Sequence, residues 1–473
     1  MVESPAKLRI QQLNEAPARA DGKYVLYWSQ MNRRVDSNHA LAHAIYLANE
    51  LGLPVLVFEC LAYSKSHAND RMHTFLLEGV SETAAQLHKL HIGYCFDLNR
   101  KQSGPRNNLE HLLSAAALLV TDDYPCGFTA ERNAQLPAHL SLPYVVVDSS
   151  CIIPFRQFEK QEYAAYTMRP KVRRTLPSFL KPCEMPHVKN RWKDSLPKWH
   201  VDVKPSLIPE LVKSCDIDHS VPPSPTFRGG SKAAKKHLSK FLKSALARYG
   251  EERNQPSAHA TSNLSPYLHF GMISALEVAL EAQSYGIEHK LRTDEFLEEL
   301  IVRRELSFNF AHFAGAKIDS LSSLPSWAQA TLSSHADDER KPVYSREQFE
   351  TAQTYDDIWN AAQKELLIRG KIHGYYRMYW GKKIIEWSPT CQEALNTMIY
   401  LHDRYALDGG DPNTYVGILW CFGLHDRPWS EREIFGQVRW MSYEGMKRKT
   451  DAASYLKEIS HLEQTGNDPF AVK

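Results

Sequence analysis

KIHGYYRMYWGKKIIEW (residues 371–387) and LHDRYALDGGDPNTYVGILWCFG (401–423) are the most informative stretches of this chain. Both read as largely helical. Together they place Trp380, Trp387 and Trp420 near Arg377 and Asp408. Indole packs well, but it is also the side chain that most easily gives up a single electron. Arg377 and Trp380 stand three residues apart and Trp387 stands seven beyond, so one helix face can carry all three. Two readings compete: large rings filling a core, or oxidisable rings beside an Arg and an Asp that bind a polar, redox-active ligand. Asp408-Gly409-Gly410-Asp411 is equally open, as a loop closing over a ring system or as a helix end and turn.

Outward from these segments, helical signals dominate from Ala234 onward and strand signals vanish. Ser345 and Gln348 have capping-box spacing. Residues 356–369 present Ile358, Ala362 and Leu366 on one face and stop at Gly370. Ser388-Pro389 reads as an N-cap and first helical position of a helix running toward Tyr405. The run TSNLS (261–265) gathers hydroxyls and free backbone N–H groups at a helix start, which suits a phosphate or an ordinary N-cap turn. Glu298 and Glu299 precede an apolar helical stripe, the usual setting of solvated carboxylates. Lys447-Arg448-Lys449, with Arg439 and Trp440 upstream, interleaves cations with rings. That pattern fits phosphate contact with base stacking, and also a solvated surface.

The first 150 residues alternate. Runs 23–28, 54–58, 91–98, 118–122 and 144–148 read as strands, and 38–51, 71–90 and 107–116 as helices. Continuous apolar, β-branched strands between amphipathic helices predict a Rossmann-like parallel sheet covered on both faces. There is no GxGxxG and no GxxxxGK[ST], so a dinucleotide fingerprint or P-loop has no support. Gly104-Pro105 and Gly127 read as turn residues. From Cys151 to about Lys235 the chain is rich in Pro, Lys and His and lacks periodicity, as a long surface connector would. The expected organisation is an α/β domain over 20–185, a linker over 186–233 and an all-α domain over 234–465.

Whole-chain properties agree with this division. A chain of 473 residues exceeds one ordinary core. A net charge of +2 gives no global electrostatic case for nucleic acid, so any such binding needs a local patch. Eight scattered cysteines without CxxC argue for reduced thiols and against a zinc site or a disulfide framework. Neither a signal peptide nor a membrane span is visible, so a soluble, intracellular protein is expected.

The order of the motifs decides between the open readings. ERNQPSAHATSNLSPYLHFG, FLEELIVRRELSFNFAHF, DIWNAAQKELLIRGKIHGYYRMYWGKKIIEWSP, LHDRYALDGGDPNTYVGILWCFG and FGQVRWMSYEGMKRKTD follow one another from 252 to 451. With RRVDSNHAL and FLLEGVSETAAQL in the N-terminal half, this series closely resembles the class II cyclobutane pyrimidine dimer photolyases of the photolyase/cryptochrome family. The resemblance covers roughly residues 23–451. It implies an antenna-type α/β domain and a helical domain that binds flavin adenine dinucleotide (FAD). Matching positions make Tyr249, Thr261, Ser262, Asn263, Leu264, Ser265, Arg377, Asp408 and Gly409 the cofactor-binding residues. In FLEEL, Glu299 is the carboxylate implied to face the lesion, with Glu298 as the register alternative. Met378 and Trp420 match pocket-lining positions. Arg253 and Asn254 match a DNA-facing segment, and Arg439 and Lys447 belong to the basic patch. Trp359, Trp380 and Trp387 match tryptophans that relay electrons inward, with Tyr344 extending the chain.

The implied partner is double-stranded DNA containing pyrimidine dimers, and the implied state is a monomer. A second chromophore, a deazaflavin or a folate, is also implied, with no residues assigned to it. One position departs from the pattern. Where the family usually reads LNDRYELDG, with the Asn close to flavin N5, this chain has His402. An imidazole there is bulkier and titrates near neutral pH. It implies either altered flavin redox chemistry or tolerated drift. A cryptochrome-like light sensor and a 6-4 photoproduct lyase are the alternatives. The latter usually places a His pair in its pocket, and His269, His312 and His373 lack that context.

Overall fold

The computed structural model describes residues 7–61, 68–101 and 107–471. Six strands form one sheet: β1 (Ile10–Gln12), β2 (Tyr24–Ser29), β3 (Val55–Leu61), β4 (Gly93–Leu98), β5 (Ala116–Asp122) and β6 (Tyr144–Val147). Their spatial order is β1-β6-β5-β2-β3-β4, and all neighbours are parallel except β1 with β6. Every residue of β2, β4, β5 and β6 is buried, which is why these strands read as continuous apolar runs. β1 was not expected; three residues carry no periodic signal. Gly127, read as a turn residue, instead opens the helix Gly127–Gln135 at φ 63°. Residues 104 and 105 lie outside the described residues.

Strand order reverses between β2 and β5, the crevice where open α/β sheets usually bind ligands. Here the chain fills it. Asp122 Oδ2 accepts the backbone N–H groups of Gln30, Met31 and Asn32 at 2.9, 2.7 and 3.1 Å, and Oδ1 accepts from the Tyr27 hydroxyl at 2.9 Å.

The connector contains more structure than its composition suggested. Residues Ala165–Phe179 form a helix, hidden from periodicity by Pro170 and Pro177 inside it. Further on, the segment covers edge strand β4. Val201 N donates to Phe96 O at 3.0 Å, Phe96 N donates to His200 Nδ1 at 3.0 Å, and the Trp192 ring occupies the space a Cβ on Gly93 would need. An edge covered in this way offers no template for another strand.

The expected helices of the second half form. Ser345 and Gln348 make their reciprocal capping box, and Asp357–Arg369 runs from its Asp356 cap to Gly370 in the left-handed conformation. The helix expected to open at Ser388-Pro389 starts later. Thr390 caps Cys391–Tyr405 by accepting from Glu393 N at 3.1 Å, while Ser388 ends the preceding helix Gly374–Trp387. Apolar packing is continuous across residue 234: one core runs from Val25, Tyr27 and Val57 in the sheet into Phe241, Tyr267 and Leu306. A second core gathers Phe308, Trp359, Trp380, Trp387 and Leu419.

Two buried arginines join sheet and helices. Arg71 donates to Leu366 O at 3.1 Å and Tyr405 O at 2.8 Å, satisfying carbonyls at the C-terminal ends of two helices. Arg34 donates to Gly271 O at 3.0 Å and Ser149 O at 2.7 Å. These contacts tie the N-terminal half to Gly271 and to the ends of the Asp357–Arg369 and Cys391–Tyr405 helices. Among the described residues, no helix is long and apolar enough to cross a membrane, and no His/Cys/Asp/Glu group could hold a metal ion.

Candidate functional site

Three elements bring polar groups to one buried place. The Gly374–Trp387 helix carries Arg377, the Cys391–Tyr405 helix carries His402, and the following turn carries Asp408. Arg377 Nη1 lies 3.3 Å from His402 Nε2 and 3.7 Å from Asp408 Oδ2. Burial alone would push the Asp408 carboxyl up, but Arg377 and Lys371 hold it at about 2. Arg377 Nε, His402 Nδ1 and Asp408 Oδ1 are all buried and complete no hydrogen bond within the protein. Ser265 Oγ lies close enough to help stabilise the Asp408 charge, yet it too completes none. So many unsatisfied groups in one place are costly unless a ligand pairs with them.

The expectation that His402 titrates near neutral pH is overturned. Burial lowers its pKa to about 4; Asp408 opposes this and Arg377 assists it. The imidazole is therefore neutral at physiological pH. Because a guanidinium can only donate, Arg377 makes Nε2 the acceptor and leaves the proton on Nδ1.

The turn that supplies Asp408 has its own backbone logic. A Cβ on Gly409 would press on His402 O and Asp403 Cα, and Gly410 has φ 74°. Asp411 then caps Pro412–Trp420, accepting from Asn413 N at 2.7 Å. The glycines are thus required by a tight helix-to-helix turn. The turn reading of this motif is sufficient for Gly409 itself.

The TSNLS loop lines a separate cavity of about 190 Å³. Thr261, Ser262 and Asn263 form one wall; Lys240, Arg248, His237 and His259 bring basic side chains, and Phe470 closes it. Asn263 sits at φ 55°. The Leu264 side chain instead points into the core at 1% exposure, so only its backbone can face a ligand. Phe470 is held because Asp468 pairs with buried Arg369, whose guanidinium stacks on the Phe470 ring at 4.4 Å. Tyr249 lies nearby, edge-on to Phe241 and Phe296 at 5.8 and 5.3 Å.

Residues Glu298–Arg303 form a π-helix, a widened turn common at functional sites. It sends the two carboxylates to different partners. Glu298 is gripped by Arg169 at 2.7 and 3.1 Å, which holds its carboxyl below the usual range. Glu299 pairs with Arg253 at 3.1 Å, and Arg253 also lies over the Tyr249 ring at 5.8 Å. Glu299, not Glu298, therefore shares a neighbourhood with Arg253 and Tyr249. Asn254 is exposed beside them. Gln255 ties this segment to the basic helix Tyr443–Lys449 by donating to Lys449 O at 2.7 Å and accepting from Asp451 N at 3.0 Å.

The tryptophans fall into two groups. Trp380 stacks parallel to Trp359 at 6.4 Å, and Trp359 meets Trp387 at 6.1 Å; all three are buried. Tyr344 lies 5.6 Å beyond Trp387. Trp420, by contrast, stands with Met378 near a surface rich in cations. Lys382 Nζ approaches its ring at 5.0 Å and Arg439 at 5.6 Å. Arg439, Arg448 and Lys449 line a groove of about 270 Å³ with Tyr375, Trp429 and Trp440, and Lys447 lies over Tyr443 on the same helix.

With this geometry in view, similarity to known proteins is decisive. The DNA photolyase family matches residues 25–187. A deoxyribodipyrimidine photo-lyase of Methanothermobacter thermautotrophicus is 41% identical over 460 residues, covering 96% of this chain and 98% of the relative. Relatives of the same name from Potorous tridactylus and Arabidopsis thaliana are 38% and 37% identical, covering 92% and 93% of this chain and 81% and 89% of their own. The chain belongs to the DNA photolyase family. A Synechocystis cryptochrome (TM-score 0.69, 17% identity, 93% of this chain and 90% of its own) and an Agrobacterium tumefaciens class III photolyase (0.70, 18%, 96% and 90%) share its fold.

Two buried residues of this photolyase chain near the site, His373 and Lys382, carried no local sequence signal of their burial. His373, next to the Arg377 helix, is buried and pushed down to about 3, by burial first and by Lys371 second. Lys382 is fully buried, donates to Cys421 O at 2.6 Å, and is pushed down by burial to about 8. The only hint of either was its place inside a long family motif. His269 and His312 do not join His373: His269 contacts Leu407 O at 3.0 Å, and His312 packs on Phe155.

Proposed function

We propose that this photolyase binds FAD and splits cyclobutane pyrimidine dimers in DNA under light. The observation that carries the reading is the set of buried, unpaired polar atoms on Arg377, His402 and Asp408, one helical turn from the first ring of a stacked tryptophan chain. These residues fit the polar edge of an isoalloxazine ring, which both donates and accepts hydrogen bonds. When bound and reduced, FAD supplies the light-excited electron that opens the dimer, as the cofactor's own chemistry.

The protein's contributions are binding, orientation and electrostatics. Arg377 and Asp408 orient the ring edge, and His402 offers one neutral N–H donor to it. Thr261, Ser262, Asn263 and Ser265 take the phosphates at a helix start, with Leu264 contributing backbone and Tyr249 and Gly409 completing the surroundings. Glu299, steadied by Arg253, faces the lesion; Trp420 and Met378 form an apolar wall for a flipped dimer. Arg253, Asn254, Arg439 and Lys447 meet the DNA backbone, which adds affinity without sequence information. Trp387, Trp359 and Trp380 pass electrons inward. At the β2/β5 crevice Asp122 already takes the backbone N–H groups that a ligand phosphate would use, so a deazaflavin or folate antenna there would need other anchors.

Purified protein should release one FAD per chain on denaturation and remove dimers from UV-irradiated DNA in light but not in darkness. Asp408→Ala should lose the flavin, because it strips Arg377 of its counter-charge. A stably folded protein that neither takes up FAD nor removes dimers in light would contradict the reading.

A further inference from the structure

The tryptophan chain does not end at Trp387. Two tyrosines meet that ring: Tyr344, with centroids 5.6 Å apart, and Tyr355, closer at 5.2 Å. Their surroundings differ. Tyr344 is half-buried against Phe349, and its hydroxyl oxygen already accepts the backbone N–H of Tyr355 at 3.0 Å. Tyr355 is 65% exposed. Its ring thus joins the fully buried Trp387 directly to solvent, with the Glu386 carboxylate among the charges that act on its phenol. The successive centroid separations from Trp380 to Tyr355 are 6.4, 6.1 and 5.2 Å, so each ring touches the next and the last touches water.

We propose that Tyr355 is the terminal relay residue, the point where an external thiol refills the chain. The assignment rests on the electron-relay reading of Trp380, Trp359 and Trp387. Trp380 gives one electron to a light-excited oxidised flavin and is refilled by Trp359, which is refilled by Trp387. The Trp387 radical cation then takes one electron from the Tyr355 phenol. The phenolic proton leaves to adjacent water, so Trp387 returns to neutral and Tyr355 becomes a phenoxyl radical. A thiol returns one electron and one proton to Tyr355, and two thiyl radicals pair as a disulfide. Exposure decides between the tyrosines, because phenol oxidation requires that the proton depart. Tyr355 hands it to bulk water, whereas Tyr344 is half-buried against Phe349.

The test is pulsed illumination of the FAD-loaded, oxidised full chain, read by electron paramagnetic resonance and transient absorbance. Wild type should show a tyrosyl radical that decays faster as dithiothreitol is added. Tyr355→Phe should lose that signal and leave a longer-lived tryptophan radical, while Tyr344→Phe keeps the wild-type signal. Loss in Tyr344→Phe alone, or equal loss in both variants, would overturn the assignment. Trp387→Phe separates the two readings: if it leaves both the tyrosyl signal and photoreduction unchanged, the relay reading itself fails.

Discussion

The helical half contains two sets of tryptophans that differ in burial and in the position of positive charge. Trp380, Trp359 and Trp387 are buried and in contact with one another. Among the described residues no Lys or Arg lies over Trp359 or Trp380. Lys383, which approaches Trp387 at 5.3 Å, is paired with Glu386 at 2.8 Å. At the other set, Trp420, Trp429 and Trp440 are each covered: Lys382 and Arg439 lie over Trp420, Arg427 and Arg439 over Trp429 at 5.2 and 5.0 Å, and Arg432 over Trp440 at 3.5 Å. A cation over an aromatic face is attracted to the neutral ring and opposes any positive charge that develops on it. The first set is therefore suited to losing an electron. The second is held neutral and suited to stacking on bases beside phosphate-seeking cations. Counting indoles along a sequence cannot separate the two roles that the proposed function gives these sets; the difference in charge environment supports that assignment.

The largest expected effect comes from breaking the first set. Trp359→Phe keeps the bulk but removes the oxidisable ring between Trp380 and Trp387. Photoreduction of oxidised FAD, followed by absorbance under blue light, should nearly stop; Trp380→Phe should do the same. Wild-type rates in both variants would make these rings packing residues. In the second set, Trp420→Ala should weaken binding of dimer-containing DNA by about 1–3 kcal/mol, the loss of one stacked base, while leaving undamaged duplex almost unchanged in a competition assay.

Smaller effects sharpen the contrast. Neutralising Lys447, Arg448 and Lys449 together should weaken damaged and undamaged duplex alike. The log–log salt slope of binding should fall by about 2 to 3, as three lost phosphate contacts require. A loss confined to dimer DNA would place this helix in the lesion pocket instead. The smallest effect concerns His402. Its folded pKa of about 4 lies below the unfolded 6.5, so the unfolded chain binds the extra proton first. Stability from this group is complete above 6.5 and is lost as pH falls toward 4. The FAD spectrum should accordingly stay constant between pH 6 and 8. A spectral transition in that range that disappears in His402→Asn would show that the imidazole titrates there after all.

Features carried by local sequence were legible, and features that depend on distant contacts were not. The buried strands β2 to β6 announce themselves as continuous apolar runs, and Asp357–Arg369 displays its cap, face and glycine stop. The Ala165–Phe179 helix was masked by its own prolines. Arg377 and Asp408 could be paired from motif order, and the structure brings them to 3.7 Å. The neutrality of His402 could not be read, since it follows from burial beside Arg377, 25 residues away. The different partners of Glu298 and Glu299 depend on a π-turn and on Arg169 and Arg253, which no helical periodicity announces. Tyr355 lies just before a helix cap and looks like an ordinary loop residue until the Trp387 ring is placed beside it.

One measurement tests the division of labour directly. Protein reduced chemically beforehand, loaded with FAD and mixed with dimer-containing DNA, is given single light flashes, and dimers are counted in wild type, Trp359→Phe and Trp420→Ala. The account predicts light-dependent repair that survives intact in Trp359→Phe, because the relay is not needed once the flavin is reduced, and that falls sharply in Trp420→Ala at limiting protein. Repair lost in Trp359→Phe but kept in Trp420→Ala, or no light-dependent repair by wild type, would contradict it.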